Sequence, residues 1–327
     1  TGGPDLGDPV VSLNDMGGPK GGIKPGYIGP PATFPDREPK NSPKDKCAAV
    51  AYLLFCCSLI PGASLVCFDD DIRHMFFQFQ LSESERWMGI FYLVFDFGGE
   101  LWYCAITMNR MNMGWRPASQ IASRFAEEWL DAWRRVLDRY VASAWLPAQP
   151  RQYRDAHARR CSELGAAQAR PYAAFVFTDN FNFTFISNEL AVVGVASWKL
   201  MCGTARIILQ DGPQTIGTCS HWIGARTLVT AGLAGLTPDK EAKLHYGVDR
   251  ACRHAADFEQ YQSTASFLVW AGELLDIEPV LLNGIHAPLK DKSIGDVITP
   301  WRDVCEKLRR ISTTVAARPL VSCWIGV

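Results

Sequence analysis

The feature that most constrains the fold of this chain is a hydrophobic stretch interrupted by polar residues. The stretch FVFTDNFNF, residues 175–183, is rich in Phe, Val and Thr, which are typical of β-strands. Asp179 and Asn180 stand side by side at its centre. They predict either a tight type I′ hairpin turn, which accepts Asp-Asn, or a hairpin whose tip presents a metal ligand. The stretch by itself leaves both interpretations open.

A second acidic cluster follows another apolar run. Asp69, Asp70 and Asp71 come directly after SLVCF, a short predicted strand. A carboxylate beside buried strands is costly unless it finds a partner or a cation. Carboxylates from two neighbouring strands are hard oxygen ligands suited to Mg²⁺. The alternative is that residues 69–71 are a solvated strand end and Asp179 a turn residue, and spacing alone favours that alternative.

Composition restricts the class of protein. The 327 residues are 48% apolar and 20% charged, as in an ordinary folded protein. The formal net charge of −1 gives no overall attraction to nucleic acid or to an anionic membrane. The eleven scattered cysteines, none with CxxC spacing, predict buried free thiols in a reducing compartment, without a zinc site or a disulfide framework.

No membrane partner is expected. The longest uncharged segment, residues 47–68, is divided by Pro61-Gly62 into a predicted helix (47–59) and a predicted strand (63–68). The chain opens with a polar, Gly-rich segment without a signal peptide, so we expect an intracellular location, cytoplasmic or nuclear. No sequence feature indicates the oligomeric state.

The order of the predicted elements indicates an α+β fold. The long helix after Pro117 has the clearest pattern, because Ile121, Phe125, Trp129 and Trp133 recur at helical spacing. The remaining predicted elements are a short helix (72–81), a hairpin across Gly98-Gly99, a helix (188–203), strands near 205–209 and 219–229, and a helical C-terminal third.

The chain resembles the reverse transcriptase family across most of residues 47–290. FDDDIRHMFFQFQL resembles the first palm motif, in which Asp71 is the metal-binding aspartate and Phe76 falls at the aromatic steric gate. MNMGWRPASQIASRF is similar to the second motif and places Gly114, Arg116 and Gln120 near the incoming nucleotide.

The later motifs follow in the family's order. FTDN stands where the family carries an aromatic-x-Asp-Asp hairpin, so the resemblance implies that Asp179 is a metal ligand and Asn180 the second catalytic position. HWIG resembles the hairpin that grips the primer, with Trp222 and Gly224, and FEQYQSTASFLVWAGELLDIEP resembles the thumb helix. The Arg-rich segment before FTDN, the WIG segment and the thumb pattern are most similar to DIRS-like retrotransposon enzymes.

The resemblance implies a right-hand polymerase with an antiparallel palm sheet backed by helices, partial fingers and a helical thumb. The implied activity is template-directed DNA synthesis with two Mg²⁺ ions, or Mn²⁺, on an RNA or DNA template with a DNA primer and deoxynucleoside triphosphates. The implied regions are an extended lead-in or partial fingers (1–46), a fingers-palm core (47–230), a thumb (231–290), and a connection-like tail ahead of an absent RNase H domain (291–327).

The chain also departs from the family. Asn180 replaces the second hairpin aspartate and removes one negative charge, the lysine of the fourth motif is missing between Lys199 and Lys240, and the basic fingers strands are not recognisable in residues 1–46. These departures predict impaired activity. The alternatives are a catalytically dead relic that at most binds nucleic acid, or an unrelated α+β scaffold. Asp70 is expected to be a solvated neighbour of the site.

Overall fold

The computed structural model describes residues 42–84, 86, 90–111, 118–210, 216–253 and 256–323. Gly114 and Arg116 lie outside these ranges. The helices are α1 (Pro43–Ser58), α2 (Met75–Gln78), α3 (Ala118–Tyr140), α4 (Arg151–Leu164), α5 (Asn188–Thr204), α6 (Pro238–Arg253), α7 (Phe258–Leu274), α8 (Pro279–Leu282) and α9 (Arg302–Ala317). The strands are β1 (Val66–Asp71), β2 (Ile90–Phe97), β3 (Glu100–Thr107), β4 (Tyr172–Phe177), β5 (Asn180–Phe185), β6 (Cys219–Trp222), β7 (Ala225–Leu228), β8 (Leu233–Leu236), β9 (Ala256–Asp257), β10 (Val297–Ile298) and β11 (Leu320–Ser322).

Strand pairing within the described ranges is antiparallel, which confirms the predicted α+β class with antiparallel sheets. The sheets are β1-β5-β4, β11-β8-β7-β6, and the two-stranded β2-β3 and β10-β9. The predicted hairpin across Gly98-Gly99 is β2-β3, and both glycines have positive φ. Among the described residues, none of the helices combines the length and the apolarity that crossing a membrane requires.

The three-stranded sheet has one polar and one aromatic face. Asp71 is paired with Asn180 and Asp69 with Asn182. Because side chains alternate along a strand, these four residues share one face and Asp70 points to the other. Aromatic side chains of β5 also occupy that second face, where α3 and α5 cover them. The register of β1 on β5 therefore separates Asp70 from its two neighbours.

Aromatic rings in edge-to-face and tilted contacts form the core beneath the sheet. The ring centroids of Trp133 (α3) and Phe183 lie 4.8 Å apart. Those of Trp198 (α5) and Phe181 lie 4.6 Å apart. All four side chains are at most 1% exposed. Gly194 of α5 lies against the neighbouring Phe185, and a Cβ there would lie 2.5 and 2.8 Å from two ring carbons. The small residue thus lets α5 approach the sheet closely.

We expect Gly194→Ala to lower the free energy of unfolding by about 1–2 kcal/mol, because overpacking against Phe185 exceeds the gain in helix propensity. Gly203→Ala in the same helix is the matched control, since its Cβ would meet nothing within 4 Å. The control should be neutral or more stable by up to about 1 kcal/mol. Urea unfolding followed by circular dichroism measures both, and equal effects would contradict this packing.

The buried face of the long helix overlaps only partly with the one that the sequence indicates, since Trp133 is fully buried and Phe125 and Trp129 are partly buried against the core. The buried residues of α3 are Ala118, Ala122, Ala126, Leu130, Trp133 and Leu137. Ile121 is 44% exposed, so its predicted place on the apolar face is wrong. Alanines give a weak signal in a hydrophobic pattern, but their small side chains allow α3 to pack closely against α5 and β4.

Several predicted boundaries also change. The helix predicted over 47–59 begins at Pro43, because Ser42 and Asp45 form a capping box at its start. The strand predicted over 63–68 begins at Val66 and continues through the aspartates, which pair with β5. The strand expected near 205–209 does not form, since Leu209 makes only an isolated bridge with Ile72. Two thiols expected to be buried, Cys104 and Cys219, are exposed.

The helix predicted within FEQYQSTASFLVWAGELLDIEP is confirmed as α7. It packs against α6 and α8 and also against α1 and β8. Its buried side chains, Tyr261 and Leu268 among them, belong to the same hydrophobic core as Val50 of α1. The region predicted as a separate thumb therefore shares its core with the helix that precedes β1.

Candidate active site

The tip of the β4-β5 hairpin differs from the predicted turn. Phe177 is paired with Asn180, so the two central residues are Thr178 and Asp179, and Asn180 begins β5. Only Thr178 of these has positive φ, at 58°, so a type I′ turn on Asp179-Asn180 is wrong. A β-branched residue in this conformation is strained, and such strain persists where the surroundings enforce it. The carbonyl of Asp179 accepts a hydrogen bond from the N–H of Ile72 at 2.9 Å, which ties the tip to the end of β1.

Asp71 and Asp179 lie in one open cleft, although 108 positions separate them in the sequence. The cleft has a volume of about 370 Å³, and its other lining residues are Ile72, Arg73, His74 and Gln210. The N–H of Gln210 donates to the carbonyl of Asp71 at 2.8 Å. No set of three or more His, Cys, Asp or Glu side chains placed to hold a metal occurs in the described part of the chain. Among the described residues, Asp71 and Asp179 are thus the carboxylates that line the cleft.

Burial, and for Asp71 the repulsion of neighbouring carboxylates, raise the pKa values of the cleft carboxylates. Burial, then Asp179 and Asp70, raise the pKa of Asp71 to about 6. Burial also raises the pKa of Asp179. The Oδ1 atom of Asp71 is buried and has no hydrogen-bond partner among the described residues. A buried carboxylate oxygen without a partner, beside a second carboxylate, is suited to a divalent cation.

Asp70 is not the solvated neighbour that the sequence suggests. Its side chain is 0% exposed and lies on the aromatic face of the sheet. Its Oδ2 accepts hydrogen bonds from Trp198 Nε1 and Lys199 Nζ, both at 2.8 Å. Its Oδ1 accepts the backbone N–H of Asp71 at 3.0 Å. The expectation is wrong because strand alternation turns this residue toward α5.

Asp69 binds a buried polar network on the opposite face. It accepts hydrogen bonds from the side chains of Asn182 and Ser220 and from the N–H of His221. Lys46 of α1, 1% exposed, donates to Ser220 Oγ at 2.5 Å. Burial lowers the pKa of Lys46, while the charge of Asp69 opposes that shift. The network joins α1 and β6 to the central sheet.

Four of the residues assigned to nucleotide and primer are described, and these four lie outside the lining of the cleft. Phe76, assigned to the steric gate, is 9% exposed and packs in the hydrophobic core. Gln120 is exposed on the first turn of α3. Trp222 is fully buried, so its side chain is not available for the expected primer contact. Gly224, at φ +86°, forms the β6-β7 turn, and its carbonyl accepts the N–H of Thr237.

Trp222 supports the hairpin instead. Its Nε1 donates to the carbonyl of Asn180 at 3.2 Å. The centroid of its ring lies 5.7 Å from that of Phe175. No sequence pattern indicated a role for the hydrogen-bonding residues that hold this site together, namely Lys46, Trp198, Lys199, Gln210 and Ser220. Each is a single polar or aromatic residue in an unremarkable stretch, so no spacing signal could have identified it.

Comparisons with known proteins give structural likeness at low identity. No protein-family model matches the chain, and neither does any curated protein. A foamy viral protease-reverse transcriptase solved in complex with double-stranded DNA matches 86% of the chain with a TM-score of 0.49 and 10% identity. A second structure of that enzyme, in complex with an RNA/DNA hybrid, matches 77% with a TM-score of 0.42 and 11% identity. The chain spans 38% and 27% of the length of those two chains.

In metal-free protein we expect Asp71→Asn to raise the free energy of unfolding by about 1 kcal/mol at about pH 8. The folded-state pKa of Asp71, about 6, exceeds its ordinary value of 3.8, so ionisation destabilises the native state. The stability that the protonated carboxyl of Asp71 contributes to the native state is fully present below about pH 4. It is lost as the pH rises through about 6. The gain is small because the residue is half-buried and solvent screens its charge.

Urea unfolding of the wild type and Asp71→Asn in a chelator, at about pH 4 and about pH 8, measures this effect. The gain should be largest at the higher pH. Asp155→Asn, at an exposed position on α4, is the control and should change stability by less than about 0.5 kcal/mol. A variant less stable than the wild type at the higher pH would show that Asp71 has a stabilising partner.

We expect Lys46→Met to lower the free energy of unfolding by about 3 kcal/mol, because it leaves the Asp69 network without its buried cation. Lys44→Met, at an exposed position in the same helix, should change stability by less than about 0.5 kcal/mol. Thermal and urea unfolding measure both variants. A Lys46→Met protein as stable as the wild type would show that the network contributes nothing net.

Proposed function

We propose that this chain is a reverse transcriptase-like domain that performs template-directed nucleotidyl transfer at Asp71 and Asp179. One observation carries the proposal. A carboxylate at the end of β1 and one at the tip of the β4-β5 hairpin share an open cleft, and one oxygen of Asp71 has no hydrogen-bond partner among the described residues. The same two residues are the ones that the order of the sequence motifs brings together as metal ligands.

Asp71 and Asp179 would hold the divalent cations, Mg²⁺ or in its place Mn²⁺, and we propose two ions. Mg²⁺ typically binds one or two carboxylates and completes its coordination with water and substrate phosphates. A site with two protein carboxylates therefore fits an ion that arrives with a nucleotide. When bound, such ions activate the attacking primer hydroxyl and stabilise charge on the transferred phosphate.

The remaining cleft residues would orient the substrate. Arg73 and His74 are the basic residues in the described lining of the cleft. Arginine binds phosphate oxygens through paired hydrogen bonds, so we propose that Arg73 orients the triphosphate of a deoxynucleotide. This role would partly replace the family's missing lysine. The indole of Trp222 would keep the hairpin tip in place through the carbonyl of Asn180.

The proposed partners are an RNA or DNA template, a DNA primer and deoxynucleoside triphosphates. The foamy viral enzymes of similar structure were solved with double-stranded DNA and an RNA/DNA hybrid. We propose further that residues 47–230 act as fingers and palm, residues 231–290 as the thumb and residues 291–327 as a connection. The motif pattern supports a DIRS-like retrotransposon as the source.

A second candidate is a domain that binds nucleic acid without catalysis. Asn180 favours it, because this residue lies directly opposite Asp71 on the polar face of the sheet. A neutral amide there leaves the site with one negative charge fewer than a second aspartate would give. Metal affinity and rate would both fall.

Primer extension with the purified chain tests the proposal. We expect the wild type to be near background at high Mg²⁺ and nucleotide, and Asn180→Asp to exceed it by roughly tenfold to a hundredfold, because one well-placed charge commonly contributes a few kcal/mol. Mn²⁺ serves as a permissive condition. Asp71→Ala in the Asn180→Asp background should return extension to background.

The outcomes separate the candidates. Extension that requires Asp71 supports the polymerase. Primer–template binding without extension in either form supports the nucleic-acid-binding relic. If neither form extends or binds primer–template, the chain is an α+β scaffold and the proposal fails.

A further inference from the structure

We infer that Lys199 and Trp198 form, with the buried carboxylate of Asp70, a clamp that positions the metal-binding carboxylate of Asp71. The role rests on the proposed function, since it concerns the same site. Asp70 and Lys199 are positioning residues, because they act on the site through the backbone of Asp71.

The clamp uses both oxygens of one buried carboxylate. Oδ2 of Asp70 faces α5 and accepts from Trp198 Nε1 and Lys199 Nζ, both at 2.8 Å. Oδ1 faces along β1 and accepts the N–H of Asp71 at 3.0 Å. A single side chain therefore connects α5 to the backbone of the residue that carries the cleft carboxylate.

The clamp also links the two cleft carboxylates through one continuous segment. The β4-β5 hairpin carries Asp179 at its tip, and the chain continues from β5 into α5, which carries Lys199. β5 holds β1 by strand pairing, while α5 holds β1 from the aromatic face through Asp70. The segment that begins at Asp179 thus holds the strand of Asp71 twice, at its edge through β5 and at its aromatic face through α5.

An apolar residue would fill position 70 at a lower desolvation cost. The side chain is 0% exposed and its surroundings are aromatic, and a buried ion pair is often no more stable than a well-packed apolar replacement. A carboxylate adds what an apolar residue cannot, namely acceptors for the Asp71 N–H and for α5. In metal sites, residues that hydrogen-bond to the ligating residues commonly orient them. Asp70 would act on Asp71 in this way.

The experiment measures Mn²⁺ binding by electron paramagnetic resonance on the full chain, together with the thermal unfolding midpoint. We expect Lys199→Met to weaken Mn²⁺ binding by about tenfold or more, as for other outer groups of metal sites. Lys199→Arg, which keeps a cationic donor, should stay within about threefold of wild type. Trp198→Phe removes one donor and keeps a ring, so it should weaken binding by about threefold and serves if Lys199→Met does not fold.

The direction of the change identifies the cause. If Lys199 acted only through its charge, its removal would tighten the binding of a cation. If it acted only on stability, the unfolding midpoint would fall and Mn²⁺ binding would stay unchanged. Either result overturns the clamp, whereas weakened binding with rescue by arginine supports it. Lys243→Met, at an exposed position on α6, controls for the loss of a lysine and should change neither readout.

Failure of the clamp is distinguishable from failure of the proposed function. Binding that Asp71→Ala abolishes and Lys199→Met leaves unchanged overturns the clamp alone. A wild type without Mn²⁺ binding overturns the proposed function and the clamp with it.

Discussion

Antiparallel pairing of β1 with β5 sets the position of every acidic group in the site. Asp71 lies opposite Asn180 and Asp69 opposite Asn182, so both aspartates face the polar side of the sheet. A slip of one residue would turn Asp71 into the aromatic core and Asp70 into the cleft. The rings on the far side of β5, buried against α3 and α5, oppose such a slip.

Three consecutive carboxylates on one strand are compatible with folding because each has different surroundings. Asp69 is held by hydroxyl, amide and backbone donors, with a buried lysine behind them. Asp70 is held by an indole and a lysine. The cleft carboxylate of Asp71 has a raised pKa and an oxygen without a partner in the described part of the chain. A carboxylate with a raised pKa in an open cleft is typical of sites that bind charged ligands.

Much of the fold could be predicted from local pattern, whereas the pairing of Asp71 with Asp179 followed only from the order of the motifs in the family resemblance. Alternating apolar residues and Gly98-Gly99 identified the β2-β3 hairpin, and FVFTDNFNF identified the strands on either side of Asp179. The predictions that were wrong concern side chains whose burial depends on tertiary packing and not on the local hydrophobic pattern. Ile121 looked like a core residue of α3, whereas small alanines made the closer contact. Trp222 looked like an exposed contact residue, whereas its indole satisfies a carbonyl beneath the hairpin.

The sequence by itself determined the order of the elements, the two acidic clusters and the neutral Asn180 in the hairpin, because these depend on neighbouring residues. Only the tertiary structure decided which aspartate faces which partner. Lys199 reaches Asp70 across 129 positions, and Lys46 reaches Ser220 across 174. Such partners are chosen by the packing of α1 and α5 on the sheet, and no local pattern encodes that choice. The cleft depends on the same packing, since its carboxylates meet only when β1 pairs with β5.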